Sequence, residues 1–166
     1  MARKGSVGEI KVWYVPTIAN RAAPTTAEIT AGTDLTPFLR RDGLQTPNPG
    51  TTIDASDVSS LQNKNLPGSY GGDNVTIQAY RDDTTDTAWT TLTRGASGCI
   101  VVRRFGGSTV AAALSNKVEV YPGAVISREP SASGDNEAQR FTVTCAASDT
   151  VVDGVVAYLP RGGGAP

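Results

Sequence analysis

Histidine is absent from this 166-residue chain. That removes the commonest general base and metal ligand, together with every Ser-His or Cys-His nucleophile arrangement. There are two cysteines, Cys99 and Cys145. They lie far apart, fit no metal-ligand spacing, and each sits in an apolar run, so they read as buried small hydrophobes rather than a disulfide framework. Charged residues are few at 19%, aromatics fewer at 6%, and the formal net charge is -1. No overall attraction therefore draws the chain to nucleic acid or an anionic membrane. No long apolar run offers a membrane span, and the first residues, MARKG, lack the pattern of a secretory leader, so the expected place of synthesis and folding is a cytoplasm.

What the sequence does have is glycine (18), proline (10) and much threonine, residues that favour turns and strands over helices. The length suits a single domain, 1–166, with 1–6 as an N-terminal arm and the glycine-rich 160–166 as a flexible tail. Strands are expected at 7–15, 74–81, 98–105, 116–127 (broken at Pro122 and Gly123), 138–146 and 151–159. In NVTIQAYR, Val75, Ile77 and Ala79 alternate with Thr76, Gln78 and Tyr80; in RFTVTC, Phe141, Val143 and Cys145 alternate with Arg140, Thr142 and Thr144. Each pattern gives one core face and one polar face.

Two stretches depart from that rhythm. Residues 16–74 run through Pro, Gly, Thr, Asn and Asp and are too long for an ordinary connection, so one or two short strands or a helical turn are expected within an extended loop. Phe38, Leu39, Leu44, Leu61, Leu66 and Tyr70 give that loop apolar anchors which a solvated linker would not need; contact with a partner subunit would use them. On this reading, deleting most of 40–70 abolishes assembly with partner subunits while leaving a folded monomer. Residues 82–95 carry acids early, Trp89 and Leu92 three apart, Arg94 late and then Gly95, the signals of a short helix packed on the sheet.

Candidate chemistry is sparse. Asp82, Asp83 and Asp86 fit the positive end of that helix better than a metal site, and the glycines at 71–72, 106–107 and 162–164 lack a phosphate-binding context. No catalytic, cofactor-binding or metal-binding residue emerges. The basic pairs Arg3–Lys4, Arg40–Arg41 and Arg103–Arg104 are the concentrations of positive charge. Without interleaved aromatics they suit salt bridges to neighbouring subunits or a solvated face, the latter for Arg3 and Lys4.

The ordered series NVTIQAYR, RDDTTDTAWTTLTRGASGCIVVRRF and KVEVYPGAVISRE, with TAGTDLTPFLRRDGL and DASDVS upstream, resembles the tail tube proteins of long-tailed bacteriophages, particularly the siphophage type infecting actinobacteria. The likeness spans most of the chain, and no single motif in it is diagnostic. It implies a mainly β, tail-tube type sandwich or barrel with one flanking α-helix (Trp89 and Leu92 anchoring it) and long extended loops. It further implies a structural virion protein, not an enzyme, needing no cofactor. Such proteins assemble in the host cytoplasm into stacked hexameric rings around a tape measure protein, between tail tip and tail terminator proteins, and double-stranded DNA passes through at ejection.

Under that resemblance, subunit contacts are expected at Phe38, Leu39, Arg40, Arg41, Leu44, Leu61, Leu66, Tyr70, Arg103 and Arg104, with 16–74 reaching an adjacent ring. Glu119, Thr142 and Thr144, on polar strand faces, are the candidates for the lumen. Three other readings stay open: a tube protein of a contractile injection or secretion system, a carbohydrate-binding β-sandwich module, and an enzyme working with carboxylates alone.

Overall fold

The computed structural model describes residues 9–46, 50–56, 64–70, 74–105, 116–131, 137–149 and 151–156. Among the described residues ten strands and two short helices follow one another: β1 (Lys11–Val15), α1 (Thr26–Ala31), β2 (Thr33–Asp34), a 3-10 turn (Thr36–Phe38), β3 (Leu39–Gln45), β4 (Gly50–Asp54), β5 (Asn65–Tyr70), β6 (Val75–Tyr80), α2 (Thr87–Thr91), β7 (Ser97–Arg103), β8 (Lys117–Ser131), β9 (Arg140–Ala147) and β10 (Val152–Val155). Eight of the strands form one antiparallel sheet in the order β2-β1-β7-β8-β9-β6-β3, with β10 also paired to β8. β4 and β5 form a separate two-stranded sheet. No described helix is long and apolar enough to cross a membrane.

The alternation read in β6 and β9 places the core as expected. Val75, Ile77, Ala79, Phe141, Val143 and Cys145 are all buried, and β6 and β9 pair in register from Val75↔Cys145 to Tyr80↔Arg140. In β1 and β7 alternation fails because both faces are covered. Val12, Tyr14, Ile100 and Val102 join the main core with β6 and β9. Their neighbours Trp13, Val15, Cys99 and Val101 point the other way, into a second core closed by Ile29 of α1, Val118, Val120 and Val156. Strands buried on both faces read as continuous apolar runs, which VWYV and CIVV are. Burying each such side chain contributes about 1.5–3 kcal/mol, so these two cores carry the fold.

β8 does not break at Pro122 and Gly123. It runs 15 residues without interruption because its outer neighbour changes there: residues 117–120 pair with β10, and those from Gly123 onward pair with β9. Pro122 lacks an N–H but falls at the handover, where no ladder bond is needed from it, and its carbonyl accepts the Ser148 N–H at 3.0 Å.

Among its described residues the span 16–74 is mostly regular structure rather than an extended loop. α1 begins with a capping box: Thr25 accepts the Glu28 N–H, and Glu28 accepts the Thr25 N–H at 2.8 Å. β3 pairs with β6 through an irregularity between Leu39 and Leu44. Gly43 sits inside it, where a Cβ would lie 2.4 Å from the Gln78 carbonyl oxygen.

The expected helix at 82–95 shrinks to the five residues of α2. Asp82 and Asp83 precede it and serve Thr84, Asp82 accepting its N–H at 3.0 Å and Asp83 its hydroxyl at 3.1 Å. Asp86 sits at the N-cap with φ +43° and pairs instead with Arg81 at 2.6 Å. Threonine, a weak helix former, limits the length. Gly95, at φ +88°, turns the chain into β7 as its place after the helix suggested.

Candidate assembly interface

α2 places Trp89 and Leu92 as expected. Leu92 is fully buried, and Trp89 meets Phe141 edge-on with ring centroids 5.1 Å apart. The exposed part of the indole is covered by two guanidinium groups, those of Arg81 at 4.2 Å and Arg128 at 3.8 Å from its centroid. Arg128 also donates to the Trp89 carbonyl at 2.7 Å, and Arg81 is held by Asp86. This clamp is a structural device that fixes a short helix on the sheet.

The residues expected at subunit contacts separate into distinct groups. Phe38, Leu39 and Leu44 are only half-exposed and pack against the main core. Arg40 and Arg41 are exposed on β3, the terminal strand of the sheet, and Arg40 donates to Gln78 at 3.2 Å. Leu66 is 55% exposed on β5. Tyr70 ends β5 opposite Gly50. Leu61 lies outside the described residues, as do Arg3, Lys4 and the glycines at 71–72, 106–107 and 162–164.

Arg103 and Arg104 part company. Arg103 is fully buried, its guanidinium 5.6 Å from the Trp13 ring centroid and donating to Asn116 at 3.3 Å, so it is not on a surface that a neighbour meets. It points into the second core because strand alternation turns it away from Val102 and Arg104. Arg104 forms an ion pair within its own chain, Nε to Glu119 at 2.7 Å, and donates to Thr46 at 3.0 Å.

Glu119 therefore does not offer a free charge. It accepts from Arg104 and from the Tyr121 hydroxyl at 2.8 Å. Burial alone would raise the Glu119 pKa, but the hydrogen bonds from Arg104 and Tyr121 and the guanidinium charge outweigh it and hold the carboxyl below its ordinary range. Thr142 and Thr144 stand half-exposed on the polar face of β9, Thr142 within 3.4 Å of the Ser131 hydroxyl.

Sequence reading named Leu66 but missed Ile53, Phe105 and Val155, which with it are among the most exposed apolar residues described. Ile53 and Leu66 are direct partners across the β4–β5 pair and are 56% and 55% exposed. Phe105 and Val155 are 63% and 47% exposed and line a shallow groove with Val102, Val118, Arg104, Lys117, Glu119 and Asp153. Among the described residues no three acidic or cysteine side chains gather into a metal-binding group. The cysteines are free and buried in different cores, and burial pushes the Cys145 thiol up to about 11. A disulfide between them is ruled out by that separation.

A large antiparallel sheet with short helices, a separate two-stranded sheet and exposed apolar side chains defines the chain as a mainly β protein. The sequence profile of the phage tail tube protein family matches residues 1–158, and the chain belongs to that family. The family is one of structural tail tube proteins, not enzymes. No curated protein matches the sequence. Among solved structures, a chain of the extended-state sheath/tube terminator of the extracellular contractile injection system PVC is similar, with a TM-score of 0.61, 14% identity, and 92% of this chain and 98% of that one covered. A chain of the six-fold symmetrised baseplate of the anti-feeding prophage gives 0.56 and 10% identity, with 92% and 97% covered. A chain of the native gene transfer agent virion gives 0.51 and 12% identity, with 92% and 98% covered. At these identities the likeness is one of fold.

Proposed function

We propose that the chain, acting as one domain over 1–166 with 1–6 and 160–166 as arms, polymerises into hexameric rings that stack into the tail tube of a siphophage-type virion, the actinobacterial kind that its sequence resembles. The tube grows in the host cytoplasm around a tape measure protein, between tip and terminator proteins, and conducts DNA at ejection. The observation that carries this reading is the β4–β5 hairpin. A two-stranded sheet is marginal by itself, and this one shows an apolar cross-strand pair to solvent. A second subunit supplies the missing cover.

A head-to-tail contact of this kind uses two different surfaces and does not close, so it propagates into a filament. Thr142 and Thr144 suit a lumen wall, being polar and uncharged, since a conduit must not hold its cargo. Arg40 and Arg41 on terminal strand β3 keep stray strands from adding to that edge while remaining available to acids of a neighbour in the ring. Negative-stain electron microscopy of the purified protein over a range of concentrations tests the reading: hollow tubes or six-fold rings are expected. A chain that stays monomeric at every concentration, even with tail-tip complexes added, refutes it.

A further inference from the structure

We propose that Arg104, Glu119 and Tyr121 form a latch that grips Thr46 and sets the direction in which the β4–β5 hairpin leaves the body of the free chain. β4 and β5 pair with each other and not with the main sheet, so no ladder of backbone bonds fixes that direction. It has to come from the two ends at which the hairpin joins the body. Thr46 directly follows β3 and is the nearest described residue ahead of β4, and Val75 opens β6 on the far side.

Both ends meet the same side chains. Arg104, 58 residues away in sequence, donates to the Thr46 hydroxyl at 3.0 Å, and the Tyr121 side chain is hydrogen-bonded to Thr46 as well. The guanidinium is itself held by Glu119 at 2.7 Å, and Glu119 accepts the Tyr121 hydroxyl at 2.8 Å, so the three act on Thr46 as one connected unit. Val75 packs in the main core with Tyr121, and the two line one crevice. Strand pairing alone would not bring Thr46 here, because β6 and β9 lie between β3 and β8 in the sheet. The latch is also open to water: Arg104 and Glu119 keep 38% and 27% of their side chains exposed and line the groove beside Phe105 and Val155. It can therefore release Thr46 while the core stays closed.

The test is made on the dilute monomer and does not rest on the self-assembly reading. Ile53 on the hairpin and Ile126 on β8 are exposed and the native cysteines are buried, so Ile53→Cys with Ile126→Cys gives a chain that takes two nitroxide labels. Double electron–electron resonance then reads the distance between hairpin and body. A single narrow distribution is expected for the chain with its latch intact. Thr46→Val keeps the shape of the side chain and leaves the Arg104–Glu119 pair in place, so melting should stay with the parent; the ratio of latched to swung conformers is expected to fall about tenfold, as the loss of a charge-assisted bond implies. Arg104→Gln should broaden the distribution in the same way. Thr46→Ser, which restores the hydroxyl, should return the narrow distribution, and Arg40→Gln, which loses a bond to Gln78 elsewhere on β3, should leave it unchanged. A distribution that is unaltered in Thr46→Val, or one that is already broad with the latch intact, overturns the proposal.

Discussion

Glu119 is a residue whose environment makes a sharp claim. Its carboxyl is half-covered, yet it is held ionised by Arg104 and Tyr121. Because its folded pKa is depressed, the stability it contributes is complete above the ordinary glutamate value of 4.5 and disappears as pH falls through the lower folded value. Glu119→Gln should therefore be less stable than the parent near neutral pH, and the gap should close in acid. Denaturant unfolding of both proteins along a pH series checks this; a gap that widens in acid contradicts it. The same contact takes Glu119 out of the supply of free negative charge for a lumen. Alternation in KVEVY set Glu119 opposite Val118 and Val120, but the face it shares with Tyr121 is not polar throughout, because Tyr121 is buried in the main core. The sequence could not show that Arg104, 15 residues upstream and just past the end of the neighbouring strand, would pair with it.

At the scale of elements, the hairpin and β3 should behave as separate parts. β3 pairs with β6 and sends Leu44 against the core, so removing 40–70 strips an edge strand from the sheet. The monomer is then expected to lose stability, against the earlier expectation drawn from composition. Replacing only 50–70 with a short Gly-Ser connection should leave the monomer's melting transition in place and abolish tube growth, as read by calorimetry and electron microscopy.

The reason composition misled lies in particular residues. β5 contains Pro67 and Gly68, and β3 contains Gly43 at its irregularity, so both look like loop. They are strands because tertiary pairing overrides weak propensity. α1 carries a start signal, Thr25 and Glu28 three apart ahead of Ile29, that the expectation of a helical turn somewhere in 16–74 left unplaced. β6 and β9 were legible because each has one wet face. β1 and β7 were only half-legible, since the second core that covers their other face is built by α1 and by Val118, Val120 and Val156, which lie in other elements.

For the whole molecule, assembly should appear as thermodynamic linkage. If only the folded chain enters the tube, polymer formation draws on the native state, and the apparent melting temperature should rise with protein concentration above the assembly threshold and stay flat below it. Differential scanning calorimetry across that threshold is the check. A melting temperature indifferent to concentration in samples that contain tubes would mean that subunit contacts contribute nothing to holding the fold. The chain spans nearly the full length of the similar solved chains, so this expectation applies to a unit of the same extent.

The pairing of β1 with β7 also has a kinetic side. Val15 lies opposite Cys99, so the first strand must wait for more than half the polypeptide to be synthesised before its partner exists. β7, β8 and β9, by contrast, follow one another and pair in sequence order, which makes them the natural nucleus. The hairpin is translated early but has no completed sheet to stand on until the C-terminal half has folded. If the chain polymerises as proposed, translation acts as a timer: a nascent chain cannot present the hairpin on a finished body, and ribosome-bound subunits are kept from seeding polymer before they are whole.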